Sequence, residues 1–239
     1  MVRKTAAMVG ALFITGTVSG ILSAIITGPI QNTPDYLTSI STYETQWTLG
    51  TLLILVMGFA LAMVPVLMYP IFKKYNEALA FGAVLFRGVL EAVCYIAIVM
   101  SMLLLLSASR ISVGESTLDA SALQISGALL VSAGDWFNQI LAIVFSIGAL
   151  ILYFLFYQTR LVPRWLSGWG FIAAMLYLAA PLIRMGSPQQ LALSLTSGLG
   201  TLMIPLALQE MVFAVWLIVK GFNRSPILAH SHPETTNFA

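Results

Sequence analysis

Long apolar runs alternate with short polar connections along almost the whole chain. About six of these runs contain roughly 20 mostly apolar residues, the length that an α-helix needs to cross about 30 Å of hydrocarbon. The runs are Thr5–Thr27, Trp47–Phe72, Ala78–Leu106, Asn138–Tyr157, Trp165–Ile183 and Leu199–Gly221. The pattern therefore predicts an all-α fold, a polytopic membrane bundle of about six transmembrane helices.

The region before the fourth run is too long for one simple span. A single helix from Ala120 to Tyr157 would extend about 55 Å at 1.5 Å per residue, well beyond the bilayer. We therefore expect a short outer helix near Ser121–Val131 and a break near Gly134. The connection Pro29–Gln46 is rich in Thr, Ser, Asn and Tyr, which predicts a solvated loop.

Basic residues fall on alternate connections, and this places both chain termini in the cytoplasm by the positive-inside rule. The same pattern predicts one transmembrane domain over residues 1–222 and a flexible cytoplasmic tail over residues 223–239. The basic residues concerned are Arg3, Lys4, Lys73, Lys74, Arg160, Arg164, Lys220 and Arg224.

Composition agrees with the apolar pattern. Of 239 residues, 59% are hydrophobic and 8% are charged, against about a quarter charged in soluble domains. The net charge is only +2, and no Lys/Arg cluster is interleaved with aromatic residues, so the lipid bilayer and not nucleic acid is the expected partner. Cys94 is the single cysteine, which excludes an intrachain disulfide, and we expect neither a metal site nor a cofactor.

Three charged residues lie well inside the apolar spans, away from their ends. A charge at the centre of a membrane helix costs about 2.5 to 3.5 kcal/mol on insertion scales, so each one needs a partner or a polar cavity. Arg87 and Glu91 are four residues apart, on one face of the third span, and Glu210 lies at a similar depth in the sixth. A guanidinium group has five donors, so we predict that Arg87 bridges both carboxylates.

Other polar residues could belong to the same site. Gln209 precedes Glu210, and Asp135, Trp136 and Asn138 fall at the outer mouth of the fourth span. These three either line a site or form an ordinary interfacial belt. Arg184 is expected to reach the lipid headgroups from the outer end of the fifth span.

The first span carries two glycines at a spacing that lets helix backbones approach closely. Gly16 and Gly20 are four residues apart and lie on one helix face. They serve either packing within the bundle or contact between two copies in a homodimer.

Several stretches together resemble the bacterial membrane family DUF4386, a domain of unknown function. The resemblance implies a bacterial cytoplasmic-membrane protein and marks Arg87, Glu91, Asp135 and Glu210 as motif positions, but it implies no activity. It covers Arg3 to about Asn223 and is carried by Arg3–Ala6 with Gly10–Leu12, Phe86–Arg87 with Leu90–Ala92, Asp135–Trp136, Leu161–Gly170, Leu208–Met211 and Ala214–Phe222.

Three functions remain open from the sequence. The first is binding or translocation of an ion or a small polar molecule at the Arg/Glu cluster; the second is an accessory or scaffold role in which the ion pairs serve packing. The third is an intramembrane enzyme using carboxylates, which the absence of histidine and of a Ser-x-x-Lys pair from the spans disfavours. A cavity that touches Arg87 and Glu210 would favour binding, and a dry, fully paired network would favour a scaffold.

Overall fold

The structure, a computed structural model, describes residues 2–114, 120–186 and 198–223. These residues are almost entirely helical, and no strand occurs among them. The elements are α1 (Val2–Gln31), α2 (Tyr36–Thr42), α3 (Glu44–Phe72), α4 (Glu77–Ala83), a π-helical segment (Val84–Leu90), α5 (Glu91–Gly114), α6 (Ala120–Thr159), α7 (Arg164–Gly186), a 3-10 segment (Gly198–Met203) and α8 (Ile204–Val219).

Within the described ranges, six helical stretches are long and apolar enough to cross a membrane. The predicted all-α bundle of about six spans is therefore confirmed, and the architecture is that of a multi-pass membrane protein. The cytoplasmic location of the termini stays a prediction, and the predicted tail beyond Asn223 lies outside the described residues. Asn223 itself is tied to the α6–α7 connection, because its backbone and side-chain nitrogens donate to the carbonyl oxygens of Leu161 and Arg160.

Local sequence signals explain where several helices begin. The side chain of Asn76 accepts a hydrogen bond from the backbone nitrogen of Leu79 at 2.9 Å and caps α4. Pro163 precedes the first residue of α7, and Pro205 lies in the first turn of α8, where a missing backbone donor costs least.

The bundle has two chemically different ends. We call one the basic end: Arg3 packs against Gly221, and the ring of Phe72 meets that of Phe156, so the start of α1 and the ends of α3, α6 and α8 lie together there. At the other end, the Glu44 end, Arg110 at the end of α5 forms an exposed ion pair with Glu44 at the start of α3.

The expected break near Gly134 is wrong, as is the separate outer helix near Ser121–Val131. α6 runs as one helix of 40 residues, about 60 Å long, and its first turns continue beyond the length of a span. The prediction failed because a helix satisfies its own backbone hydrogen bonds and needs no break where neighbouring helices extend beside it. A methyl group at Gly134 would lie 3.2 Å from the hydroxyl oxygen of Ser101 in α5, so this glycine serves close helix packing.

The connection Pro29–Gln46 is also more ordered than a solvated loop. α1 continues through Pro29 to Gln31, and the short helix α2 follows with Leu37 and Ile40 buried. The hydroxyl group of Ser109 in α5 donates to the carbonyl oxygen of Leu37, which fixes α2 to the bundle. The apolar positions of this segment outweigh its polar composition because they pack against the extended part of α5.

Glycines in α1 permit close contact with two neighbouring helices. Methyl groups at Gly16 and Gly20 would meet the side chains of Leu61 and Met57 in α3 at 2.8 and 2.5 Å. Packing within one chain therefore accounts for both glycines, and a homodimer contact through them stays a prediction. A methyl group at Gly10 would lie 2.6 Å from the backbone oxygen of Ala214 in α8.

The half of the bundle near the basic end is closed by aromatic rings. Phe213 of α8 makes edge-on contacts with three rings from α1 and α6, with centroids 4.9 to 5.8 Å apart, a favourable arrangement for aromatic pairs. We call this group the aromatic plug; all its members are fully buried, and they are Phe13, Phe72, Tyr153, Phe156 and Phe213.

The close contact between α1 and α8 predicts that a larger residue at Gly10 will lower the stability of the protein. Gly10→Ala should lower the free energy of unfolding by about 1 to 3 kcal/mol, because the added methyl group would collide with the backbone of α8. Gly28→Ala is the matched control, since a methyl group there meets nothing within 4 Å. Thermal unfolding in detergent measures both variants, and equal stability of the two would contradict the proposed close contact.

Candidate functional site

Arg87 lies in the π-helical segment Val84–Leu90, where the third span departs from regular α-helix. Such π-helical turns are frequent at functional sites because they re-aim side chains relative to a regular helix. The segment fits tightly between neighbours: a methyl group at Gly148 of α6 would lie 2.9 Å from the backbone nitrogen of Arg87. On the other side, Gly88 faces Pro65 of α3. Glycine at these positions lets the widened helix fit inside the bundle.

Arg87 contacts two carboxylates from two helices, as the sequence predicts. Its Nη1 donates to Oε2 of Glu91 at 3.3 Å, and its Nη2 donates to Oε1 of Glu210 at 2.8 Å. Arg87 and Glu91 are fully buried, and Glu210 retains 4% of its surface. Arg87 is ten residues from the start of α4, about 15 Å along the helix, which is about half of the length needed to cross a bilayer.

Two phenylalanine rings complete the surroundings of the guanidinium group. Its Cζ lies 4.1 Å from the ring centroid of Phe145 in α6 and 5.9 Å from that of Phe13 in α1. Both distances suit cation–π attraction, which is strongest where water is excluded. Side chains from α1, α5, α6 and α8 therefore hold Arg87 in place.

Pairing within the cluster is incomplete. Among the described residues, Nε of Arg87 has no acceptor and Oε1 of Glu91 has no donor. The cluster also contains one positive and two negative groups, so it has an excess of one negative charge when all three are ionised.

A central cavity of about 650 Å³ reaches this cluster from the Glu44 end. All six spans contribute to its wall, Glu210 lies at its inner end, and Asn32, Asp135, Asn138 and Arg184 mark its mouth. The volume falls within the range of about 300 to 1,000 Å³ typical of ligand pockets. Arg87 is not part of the wall, so the cavity meets the ion cluster through Glu210.

A second, smaller cavity adjoins the mouth. Its volume is about 260 Å³, and Asp135 and Asn138 belong to the walls of both cavities. Hydroxyl groups of Ser23, Thr27 and Ser101 give it a polar wall. The entrance region is therefore more polar than the depth of the central cavity.

The other residues singled out from the sequence have different positions. Trp136 is 53% exposed and belongs to neither cavity wall, so the structure does not bring it to the site. Gln209 is buried, but it points towards α7, where its Nε2 donates to the carbonyl oxygen of Leu166 at 3.0 Å. It fixes α8 to α7 and does not touch the central cavity.

Sequence reasoning missed several residues of the central cavity. Tyr95, Phe145 and Tyr177 supply aromatic walls near Glu210, and Arg184 reaches the mouth in addition to any contact with headgroups. Tyr95 could have been found, because it follows Glu91 by four residues on the same helix face. Nothing in the local sequence distinguishes Phe145 or Tyr177 from other apolar aromatic residues in the spans.

Comparisons with known proteins identify a family but no activity. A family model described as "Domain of unknown function (DUF4386)" matches residues 8–221, so the chain belongs to this family. Neither a curated protein nor a solved structure matches the chain.

Removal of the central cation should be strongly destabilising. Arg87→Met leaves Glu91 and Glu210 buried without their partner, and breaking a buried pair in this way costs about 3 to 5 kcal/mol. The double variant Arg87→Met/Glu210→Leu should recover part of the lost free energy of unfolding, because one uncompensated carboxylate is gone. Thermal unfolding in detergent measures this recovery.

An exposed ion pair of the same chain provides the control. Arg110→Met should change the unfolding temperature little, because Arg110 and Glu44 are both solvent-accessible. The buried cluster would have no special energetic role if Arg87→Met were as mild as Arg110→Met.

Proposed function

We propose that this DUF4386 protein binds an ion or a small polar molecule in the central cavity, with Glu210 as the contact group, and that binding is one step of translocation. The protein would lie in the bacterial cytoplasmic membrane with its basic end in the cytoplasm, as the distribution of Lys and Arg predicts. Under this proposal the cavity opens to the outer side.

The observation that carries the proposal is the cavity itself. Protein interiors are packed to nearly crystalline density, so a bundle that only needs stability has no use for a space of about 650 Å³ at its centre. A carboxylate at the inner end of such a space also matches the usual organisation of ligand sites, in which a few polar groups are placed on a mostly apolar wall.

The members of the cluster have separate roles in this proposal. Glu210 keeps some accessible surface and lines the cavity, so it makes the contact with the ligand. Arg87 is a positioning residue, because its Nη2 fixes one carboxylate oxygen of Glu210 and it does not line the cavity. Glu91 holds the other side of the guanidinium group and keeps it from turning away.

Access to the site is one-sided. The aromatic plug separates the ion cluster from the basic end, and its rings are fully buried. A ligand that enters from the Glu44 end can therefore reach Glu210 but cannot continue without a rearrangement of the plug. This asymmetry is what alternating access requires of one of its two states.

The scaffold alternative makes a different use of the same residues. In a scaffold the cluster would fix the third and sixth spans to each other, and water would have no need to reach Glu210. Full burial of Arg87 and Glu91 is compatible with that role. Access of water to the cavity separates the two functions.

Cysteine labelling tests the proposal with a matched pair of neighbouring positions. In a Cys94→Ala background, Ala207→Cys places a thiol in the cavity wall, and Leu208→Cys places one on the exposed apolar face of the same helix. A small water-soluble methanethiosulfonate should modify the first at least about tenfold faster, because thiolate formation needs a polar surrounding. Mass spectrometry of the protein in lipid vesicles or nanodiscs measures both rates, and equally slow modification would exclude an accessible binding cavity.

A further inference from the structure

The charges at the inner end of the central cavity do not cancel when all three of its ionisable groups are charged. Arg87 contributes one positive charge, whereas Glu91 and Glu210 each contribute a negative charge when ionised. A buried net charge is unfavourable in a medium of low dielectric constant, and a nearby opposite charge reduces this cost. One univalent cation beside Glu210 would bring the group to neutrality, whereas an anion or a divalent cation would leave it charged.

The wall above Glu210 offers few ligands for a bare metal ion. Ions such as Ca²⁺ and Mg²⁺ take six or more oxygen ligands, from protein or from retained water. Most of the wall is apolar instead, and it includes Ile54, Met57 and Leu61 of α3, Ile98 of α5 and Leu141 of α6. Such a wall suits the apolar body of an organic molecule.

Aromatic rings lie on the same wall near the carboxylate. Tyr95, Phe145 and Tyr177 come from three different helices, and the rings of Phe145 and Tyr177 meet edge-on with centroids 5.9 Å apart. Aromatic faces attract cations, and combinations of rings with a carboxylate are suited to ammonium groups.

The mouth does not select for the sign of a charge. Asp135 and Arg184 both line it, and they carry opposite charges. Asp135 precedes Phe145 by ten residues on α6, so it lies about 15 Å from the level of the cluster. Selection for a cation therefore falls to Glu210 and the rings around it.

From the excess carboxylate, the apolar wall and the aromatic rings, we infer that the ligand is a protonated organic monoamine, with its ammonium group at Glu210 and its apolar body in the cavity above. This inference rests on the proposed function, since it names the ligand class of the same cavity. The ammonium group donates to the carboxylate of Glu210, which then lies between two cationic partners, the ligand and Arg87.

Protection of the cavity thiol tests the ligand class. The probes are 2-phenylethylamine and its uncharged counterpart of similar shape, 2-phenylethanol, with sodium chloride as the inorganic comparison. In the Ala207→Cys protein, the amine should slow thiol modification at concentrations at least about tenfold below those at which the alcohol acts, because only the amine pairs with Glu210. Both the alcohol and the salt act as controls for effects on the lipid and on the reagent.

Two carboxylate variants show which acidic residue pairs with the amine. Added to Ala207→Cys, Glu210→Gln should weaken protection by the amine about tenfold or more, whereas Asp135→Asn removes the same charge at the mouth and should weaken it less than about threefold. Tyr177→Leu leaves the ion cluster intact and removes one aromatic ring. It should weaken protection by the amine about threefold to tenfold and leave protection by the alcohol unchanged, because only the amine is a cation. The Tyr177→Leu variant still tests the inference if the Glu210→Gln protein does not fold.

The outcomes separate this inference from the proposed function. If the thiol at position 207 is modified rapidly but the alcohol protects as well as the amine, or if only sodium protects, the monoamine inference is overturned and the cavity remains a binding site. Absence of protection by all three probes also overturns it. If the thiol is not modified at all, the proposed function itself fails.

Discussion

The structure depends on how a guanidinium group is kept ionised in the middle of an apolar bundle. Arg87 has a carboxylate on each side and an aromatic ring within 4.1 Å of its Cζ. Without partners such a charge would cost several kcal/mol, a large part of the stability of a typical domain, so the helices that carry the partners must stay in register. The contact between Arg87 and Glu210 links the third span to the sixth, and the π-helical segment aims Arg87 towards both carboxylates.

This requirement also explains the close packing around the segment. A widened helix needs more room than a regular one, and Gly148 supplies it by leaving out the side chain that would meet the backbone of Arg87. Beyond the cluster the two halves of the bundle differ. Towards the basic end the aromatic plug fills the interior, and towards the Glu44 end the interior is open down to Glu210. The ion cluster therefore lies at the boundary between a filled half and an open half, and under the proposed function this is where a ligand would be held without a continuous leak across the membrane.

Much of the candidate site could be predicted because charge is rare in this sequence. Arg87, Glu91 and Glu210 stand out in apolar runs, their depths follow from counting residues, and their pairing follows from the cost of isolated charges in lipid. Asp135 and Asn138 could also be found from the sequence, because they lie at the start of the fourth apolar run. Trp136, adjacent to Asp135, points out of the bundle because neighbouring helical residues lie about 100° apart around the axis. Gln209, adjacent to Glu210, faces α7 for the same reason.

The sequence by itself determined the class of the fold, the number of spans and the identity of the buried charges, since each depends on the local transfer of side chains between water and hydrocarbon. Only the tertiary structure decided the continuity of α6, the π-helical turn at Arg87, and which aromatic rings face a cavity and which fill the plug. Those features depend on which side chains and glycines of distant helices come into contact. An apolar side chain has a similar transfer energy in lipid and in a packed core, and its hydrophobicity does not show whether it faces a cavity instead, so hydrophobicity alone does not distinguish these three environments.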